Sequence, residues 1–116
     1  MSVAYVVLAV LLSLVLVVSG RGKLVRDEEM TRTMTRLGVP RSWFPVLALL
    51  EFAGALGLLV GIGPRPLGVA AAVGVTLYFT GAVVTHLRAK DAKGTPVPLV
   101  LALVAAAALV TGLASA

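Results

Sequence analysis

Residues 42–64 read SWFPVLALLEFAGALGLLVGIGP, a run of 23 residues in which Glu51 is the only charged side chain. An apolar segment of about 17–25 residues is long enough to cross the hydrocarbon core of a bilayer as an α-helix. Lipid offers the backbone no hydrogen-bonding partner, so a crossing segment has to satisfy its own amides and carbonyls by forming a helix. The stretch therefore predicts a transmembrane helix that carries one acid.

Three more blocks of the chain contain no Asp, Glu, Lys or Arg: residues 1–20, 66–87 and 94–116. The whole chain of 116 residues is 59% hydrophobic and 13% charged, whereas an ordinary globular domain has about 25% charged residues. This composition excludes a soluble enzyme, a nucleic-acid-binding domain and a disordered tail. We predict an all-α membrane protein, a single domain over residues 1–116 that forms a four-transmembrane-helix bundle. Its helices are expected at residues 2–20, 43–62, 66–87 and 95–115.

An alternative for residues 1–20 is a secretory signal peptide, because the run ends in small residues. Such a signal needs a positively charged start, yet the first basic residues, Arg21 and Lys23, follow the apolar run. We therefore expect the segment to be retained as a spanning helix.

Nearly all basic residues lie in two connectors between the apolar blocks. The first connector, residues 21–41, holds six Lys or Arg, the last connector, residues 88–93, holds three, and Arg65 stands alone between the second and third blocks. Cytoplasmic loops of membrane proteins carry the excess of Lys and Arg. We expect a multi-pass protein of the cell membrane with both connectors cytoplasmic and both termini outside. The net charge of +5 then serves orientation against anionic lipid, and no nucleic-acid partner is expected.

The first connector also has a helical pattern. Met30, Met34 and Leu37 recur at the spacing of one helix face, and Gly38 marks an end. The pattern predicts a short interfacial amphipathic helix at about residues 27–37, with the Met-Met-Leu stripe toward lipid or the bundle. A solvated loop is the alternative.

Glycines at helical spacing favour close helix packing in a bilayer, where small residues let backbones approach. Gly54, Gly57 and Gly61 lie in the second spanning segment and Gly74 in the third. We expect these four to pack helices within the chain. The alternative is a dedicated homodimer face.

Glu51 is the informative polar residue, because it lies near the middle of its apolar segment. A carboxylate there costs about 2.5–3.5 kcal/mol even on lenient insertion scales. We therefore expect Glu51 to face the bundle interior, to be protonated, or to have a cationic or hydrogen-bonding partner. Two interpretations stay open, a functional site and a structural hydrogen bond to a neighbouring helix.

The antiparallel arrangement of the second and third helices suggests where other polar groups lie. Trp43 and His86 are expected near one membrane face, at a depth similar to that of Lys23. Glu51 would then lie about 12 Å deeper, at the bottom of a funnel open to the cytoplasm. A line of hydrogen-bonding groups from His86 through Tyr78 to Glu51 is one hypothesis. The alternative for His86 is a cap or snorkelling group.

No motif indicates an enzyme class, so catalytic residues are unknown and no catalytic activity is expected from the chain alone. One histidine and one buried carboxylate fall short of a metal-ligand set, and no metal site is expected. The chain has no cysteine, so it has no thiol chemistry of its own.

Three stretches resemble the DoxX-like family of small four-helix membrane proteins: SGRGKL at residues 19–24, LLEFAGALGLLVG at 49–61 and GAVVTHLR at 81–88. The resemblance spans nearly the whole chain and implies a compact bundle without one settled activity. Relatives include a membrane subunit of a thiosulfate:quinone oxidoreductase and an assembly chaperone for receptors. The residues carried over by position are Lys23, Glu51, Gly54, Gly57, Gly61 and His86.

Two functions follow as hypotheses. The first is a small accessory or assembly subunit with a membrane or peripheral protein partner, in monomeric or homo-oligomeric form. The alternative is a quinone-like ligand-binding or redox-complex subunit, in which an intramembrane pocket is lined by Glu51 and His86. No cofactor is expected in the chain itself, and a quinone is the one that the resemblance suggests. The candidate ligand-binding residues are Glu51, His86, Tyr78 and Lys23.

Overall fold

The computed structural model describes residues 2–25 and 27–116, and within them it contains helices, turns and connectors but no strand. Met1 and Arg26 lie outside the described residues; Arg26 is one of the six bases counted in the first connector. A 3-10 turn, Arg41–Trp43, directly precedes the helix that begins at Phe44. The helices are α1 Ser2–Leu24, α2 Glu28–Arg36, α3 Phe44–Val60, α4 Arg65–Arg88 and α5 Pro96–Ala114.

Four helical segments, one of them α3 together with the 3-10 turn before it, are each long and apolar enough to cross a membrane. They form a ring in which α1 neighbours α3, α3 neighbours α4, α4 neighbours α5, and α5 closes the ring against α1. Side chains from all four helices fill the centre, and most large aliphatic side chains point outward. The protein is thus an all-α integral membrane bundle, as the apolar blocks predicted.

The first helix is longer than predicted: it ends at Leu24, whereas the predicted end was residue 20. The prediction placed the end of the helix where the basic residues begin. A helix can, however, extend through Arg21 and Lys23 without losing backbone hydrogen bonds. This extension keeps Lys23 on the rigid helix. Proline in the first turn starts each of the other three long helices, a position where no amide donor is needed.

The amphipathic helix in the first connector is confirmed as α2. The Asp27 side chain caps it by accepting a hydrogen bond from the Met30 amide at 3.2 Å. Beyond its end, Gly38 has a φ of 80°, the left-handed conformation that stops a helix. The stripe faces the bundle: Met30 lies against Gly22 of α1, while Met34 lines a cavity at the end of the bundle. The alternative of a solvated loop is wrong.

Polar side chains of α1 fasten it to α3 along its length. The Tyr5 hydroxyl donates to the Leu58 carbonyl at 2.9 Å, and the Ser13 hydroxyl donates to the Ala55 carbonyl at 3.2 Å. Since all four residues are buried, these bonds replace the water that a bilayer cannot supply. These two bonds therefore help to hold α1 and α3 in register.

The α3–α4 pair is packed through small residues near its hairpin. Gly61 touches the backbone of Gly68, and a Cβ atom added at Gly57 would lie 2.7 Å from the Cβ of Ala71. One turn further from the hairpin, a Cβ added at Gly54 would lie 2.8 Å from Cγ2 of Val75.

The α4 residue that faces each of these glycines becomes larger from Gly68 through Ala71 to Val75. The two helices therefore move apart progressively along this series. We call the line of contact between α3 and α4 the tapered seam.

Gly74 does not take part in this packing. A Cβ added there would meet no atom within 4 Å, and the residue is exposed. The expectation that Gly74 packs helices within the chain is therefore wrong. Gly74 lies on the outer side of α4, next to the opening between the helices.

Gly61→Ala should destabilise the bundle while Gly74→Ala should not. An added methyl at Gly61 meets the backbone of α4, which cannot move aside cheaply, and overpacking of this kind costs about 1–3 kcal/mol. At Gly74 the methyl is free, and alanine stabilises a helix relative to glycine by roughly 0.5–1 kcal/mol. The free energy of unfolding in a detergent titration measures both. Equal losses in the two variants would contradict the tapered seam.

Candidate functional site

Glu51 is the centre of a buried polar network that joins three helices. Its side chain is 1% exposed and its Oε1 atom accepts three hydrogen bonds. The donors are Lys23 Nζ at 2.9 Å, Ser19 Oγ at 3.1 Å and Tyr78 Oη at 2.6 Å. Lys23 also donates to Ser19 Oγ at 2.8 Å. The arrangement is that of a carboxylate paired with an ammonium inside the bundle.

The directions of the helices explain why Lys23 and Glu51 meet. Side chains on a helix lean toward its N-terminus. Lys23, in the last turn of α1, therefore leans back into the bundle, past Ser19 one turn earlier. Glu51 lies on the antiparallel α3 and leans the opposite way, toward the end where α1 finishes. The two side chains converge at mid-depth although their backbones lie at different heights.

The predicted funnel needs a correction at this point. Lys23 is not at the depth of the membrane face, about 12 Å from Glu51; it is 3% exposed and in direct contact with the carboxylate. Exposed Arg21, two residues earlier, points the other way. As expected, Glu51 faces the interior of the bundle and has a cationic partner.

Pairing is what makes the buried charges tolerable. A lone carboxylate or ammonium in a medium of low dielectric would lose several kcal/mol of hydration, and the mutual attraction compensates only when further hydrogen bonds are present. Ser19 and Tyr78 supply those bonds to Glu51. The pair is electrically neutral as a whole.

One polar atom of the network makes no hydrogen bond to the described residues. Glu51 Oε2 is fully buried and has no hydrogen-bond partner among residues 2–25 and 27–116. Glu51 lines a cavity of about 390 Å³ that lies between α3 and α4, with Leu16 of α1 also in its lining. We call this the Glu51 cavity. Its lining is mostly apolar and includes Gly54, Val75 and Tyr78.

The Glu51 cavity opens sideways, toward the outer surface of the bundle. Leu50, Ala53 and Gly74 belong to its lining and are themselves exposed. In a bilayer this surface is covered by lipid chains. The opening exists because the tapered seam has separated α3 from α4 at this level, and because Gly74 has no side chain to cover the gap.

His86 lies outside the Glu51 network. Its Nδ1 atom is 2.9 Å from Asp91 Oδ2, and the same oxygen accepts a bond from Arg36 of α2 at 3.3 Å. No hydrogen bond joins His86 to Tyr78 in the described part of the chain, so the proposed line from His86 to Glu51 is not continuous. Both residues do line one further cavity near the connectors.

Asp91 holds the first connector against the end of α4. The bond from His86 keeps its pKa below the usual 3.8, opposed by burial and helped by the Gly94 amide and by Arg36. A carboxyl with a lowered pKa adds stability above its ordinary pKa, and the contribution is lost as the pH falls through the value in the folded state. The link therefore persists at neutral pH and fails only in strong acid. It also shows that both base-rich connectors lie at one end of the bundle.

The sequence missed Ser19 and Asp91 as members of these clusters. Ser19 precedes Lys23 by four residues, a spacing that puts both on one face of a continuous helix, but the predicted helix ended at residue 20. Asp91 lies in a connector where no periodicity guides its placement. The described residues contain no group of three side chains that could hold a metal ion.

Lys23→Met should destabilise the protein strongly, because it leaves the Glu51 carboxylate buried without its partner. Breaking a buried ion pair from one side costs about 3–5 kcal/mol. Adding Glu51→Gln removes the remaining charge, so the double variant should recover most of that loss in detergent unfolding. Arg21→Met on the exposed side of the same turn serves as control and should change stability by less than about 0.5 kcal/mol. Additive losses in the double variant would contradict the pairing.

Comparison with known proteins identifies the family of this chain. The comparisons with curated proteins and with solved structures give no match. The model of the DoxX-like family matches residues 7–108, a range that includes all of α3 and α4, most of α1 and α5, the Lys23–Glu51 pair and His86. Because the match covers most of the chain, the protein belongs to the DoxX-like family.

Proposed function

We propose that the protein binds a small, neutral, amphipathic molecule from the bilayer, and that a hydroxyl group of this molecule donates a hydrogen bond to Glu51 Oε2. The observation that carries the proposal is a buried carboxylate oxygen without a partner, on a residue that lines a laterally open apolar cavity. Buried polar atoms are nearly always hydrogen-bonded. An ionisable residue inside a membrane also marks a functional site by default.

The charge of the site favours a neutral ligand. Lys23 already compensates Glu51, so a cationic ligand would bring an excess positive charge into the membrane. An anionic ligand would face the carboxylate directly. A neutral donor satisfies Oε2 at no such cost, and the apolar lining suits the rest of the molecule.

The same argument distinguishes two forms of a quinone-like ligand. A quinol presents hydroxyl donors, whereas the oxidised quinone presents only carbonyl acceptors, which an ionised carboxylate repels. We therefore propose that the site prefers the reduced form.

The test is equilibrium binding of decyl-hydroquinone and of the corresponding quinone to the protein in nanodiscs. The quinol should bind saturably and at least about tenfold more tightly than the quinone, because a hydrogen bond to a charged group contributes roughly 1.5–3 kcal/mol. Gly74→Leu, which fills the mouth of the cavity without touching the polar network, should abolish binding. Ala107→Leu on the exposed face of α5 should leave it unchanged. Equal affinity for both forms, or binding indifferent to Gly74→Leu, would refute the proposal.

A second candidate function is a small accessory or assembly subunit, and the surface of the base-rich end favours it. Arg21, Arg32 and Arg41 are exposed there and form a basic surface that could attract an acidic partner. We propose that this end faces the cytoplasm, since the sequence places nine of its ten Lys and Arg residues in the two connectors, residues 21–41 and 88–93, with Lys23 turned inward to Glu51.

Charge removal tests this second function. Replacing Arg21, Arg32 and Arg41 by Gln should release any co-purifying protein in mild detergent while leaving the thermal stability nearly unchanged, since none of the three forms an ion pair within the described residues. Recovery of the unmodified chain alone, repeatedly and at native expression, would count against an accessory role.

A further inference from the structure

A second cavity of about 320 Å³ lies on the same seam as the Glu51 cavity, closer to the base-rich end. Leu47 of α3 and Ala82 of α4 contribute to its walls, and Trp43 lies at its outer end. Met34 and Leu37 extend the apolar lining from the connector side. We call it the Trp43 cavity.

The two cavities share Tyr78, which lines both. Gly74 precedes Tyr78 by four residues and lines the Glu51 cavity, while Gly81 follows it by three and lines the Trp43 cavity. These spacings place all three residues on one face of α4. A Cβ added at either glycine would meet no atom within 4 Å. The openings therefore adjoin each other on the same side of the bundle, one on each side of the tyrosine.

Three polar side chains that line the Trp43 cavity make a hydrogen bond within the chain, in contrast to Glu51 Oε2: Tyr78, Thr85 and His86. The Tyr78 hydroxyl donates to Glu51, and the Thr85 hydroxyl donates to the Gly81 carbonyl at 2.8 Å. His86 is paired with Asp91. The Trp43 cavity therefore suits a hydrocarbon segment, whereas the Glu51 cavity suits a donor group.

We propose that the two cavities are one binding groove, occupied by a single elongated amphiphile with its hydroxyl-bearing head at Glu51 and its apolar chain extended past Tyr78 to Trp43. This inference rests on the proposed function and names the ligand class more closely: a neutral hydroxylic ring or head with a chain. Trp43 and Glu51 are eight positions apart along the 3-10 turn and α3, a rise of about 12 Å along the helix axis. A chain of decyl length is sufficient to cover it.

Trp43 is the only tryptophan of the chain, so its fluorescence reports on the outer end of the groove. The probe is a para-substituted phenol with a terminally brominated decyl chain, titrated into protein in nanodiscs. We expect saturable quenching of Trp43. The isomer with bromine on the ring and a plain decyl chain should compete for the same site but quench at least about threefold less, because its bromine lies near Glu51, roughly 12 Å away.

Variants separate this inference from the proposed function. Gly81→Leu should remove the saturable quenching by the tail-brominated probe while para-ethylphenol, which needs only the Glu51 cavity, still binds within about twofold. Gly74→Leu should abolish binding of both phenols. Ala107→Leu is again the control. The comparison of tail and ring bromine needs no variant, so it decides the matter even if Gly81→Leu does not fold.

Three outcomes would overturn the inference. If both phenols bind but tail and ring bromine quench Trp43 equally, the chain does not lie in the Trp43 cavity, although the proposed function stands. If the corresponding alkylbenzene without a hydroxyl quenches as strongly as the phenol, the cavity takes any lipid chain independently of Glu51. If neither phenol binds saturably, the proposed function fails and this inference with it.

Discussion

The contact between Lys23 and Glu51 is the constraint on which the rest of the structure depends. A charge at this depth is tolerable only when paired, so the pair fixes the height of α1 against α3. Tyr78 then ties α4 to the same oxygen at 2.6 Å. One carboxylate oxygen thus joins three of the four long helices, and the other has no hydrogen-bond partner among the described residues.

The opening beside that oxygen follows from the graded residue sizes on the tapered seam. Backbone contact at Gly61 and Gly68 brings α3 and α4 together near the hairpin, and larger residues separate them toward the base-rich end. A bundle packed by small residues along its whole length would be tight throughout, as bilayer helices permit. In this protein the closely packed half of the tapered seam fixes the positions of α3 and α4 in the half where the seam opens. The polar network lies between the two halves. This division explains how a chain of 116 residues can hold both a closely packed core and a laterally open cavity between α3 and α4.

Much of the fold could be predicted because lipid imposes helices on apolar segments, whatever their finer pattern. The inward position of Glu51 followed from the same energetics. Its partner did not, because the depth of Lys23 depends on whether α1 continues past its last apolar residue and on the lean of a long side chain. The role of Gly74 also escaped prediction: spacing alone does not tell a packed glycine from one that leaves an opening. Rotation of one helix about another decides both, and a single sequence carries little information on rotation.

The most direct test of this account is a solid-state NMR measurement of the dipolar coupling between a labelled Lys23 Nζ and the labelled Glu51 carboxyl carbon, in lipid bilayers at neutral pH. The account predicts a strong coupling consistent with the 2.9 Å contact between Nζ and Oε1, and an ammonium protected from exchange with water. A Lys23 ammonium in rapid exchange with water at the headgroups, with no coupling to the carboxyl carbon, would contradict it.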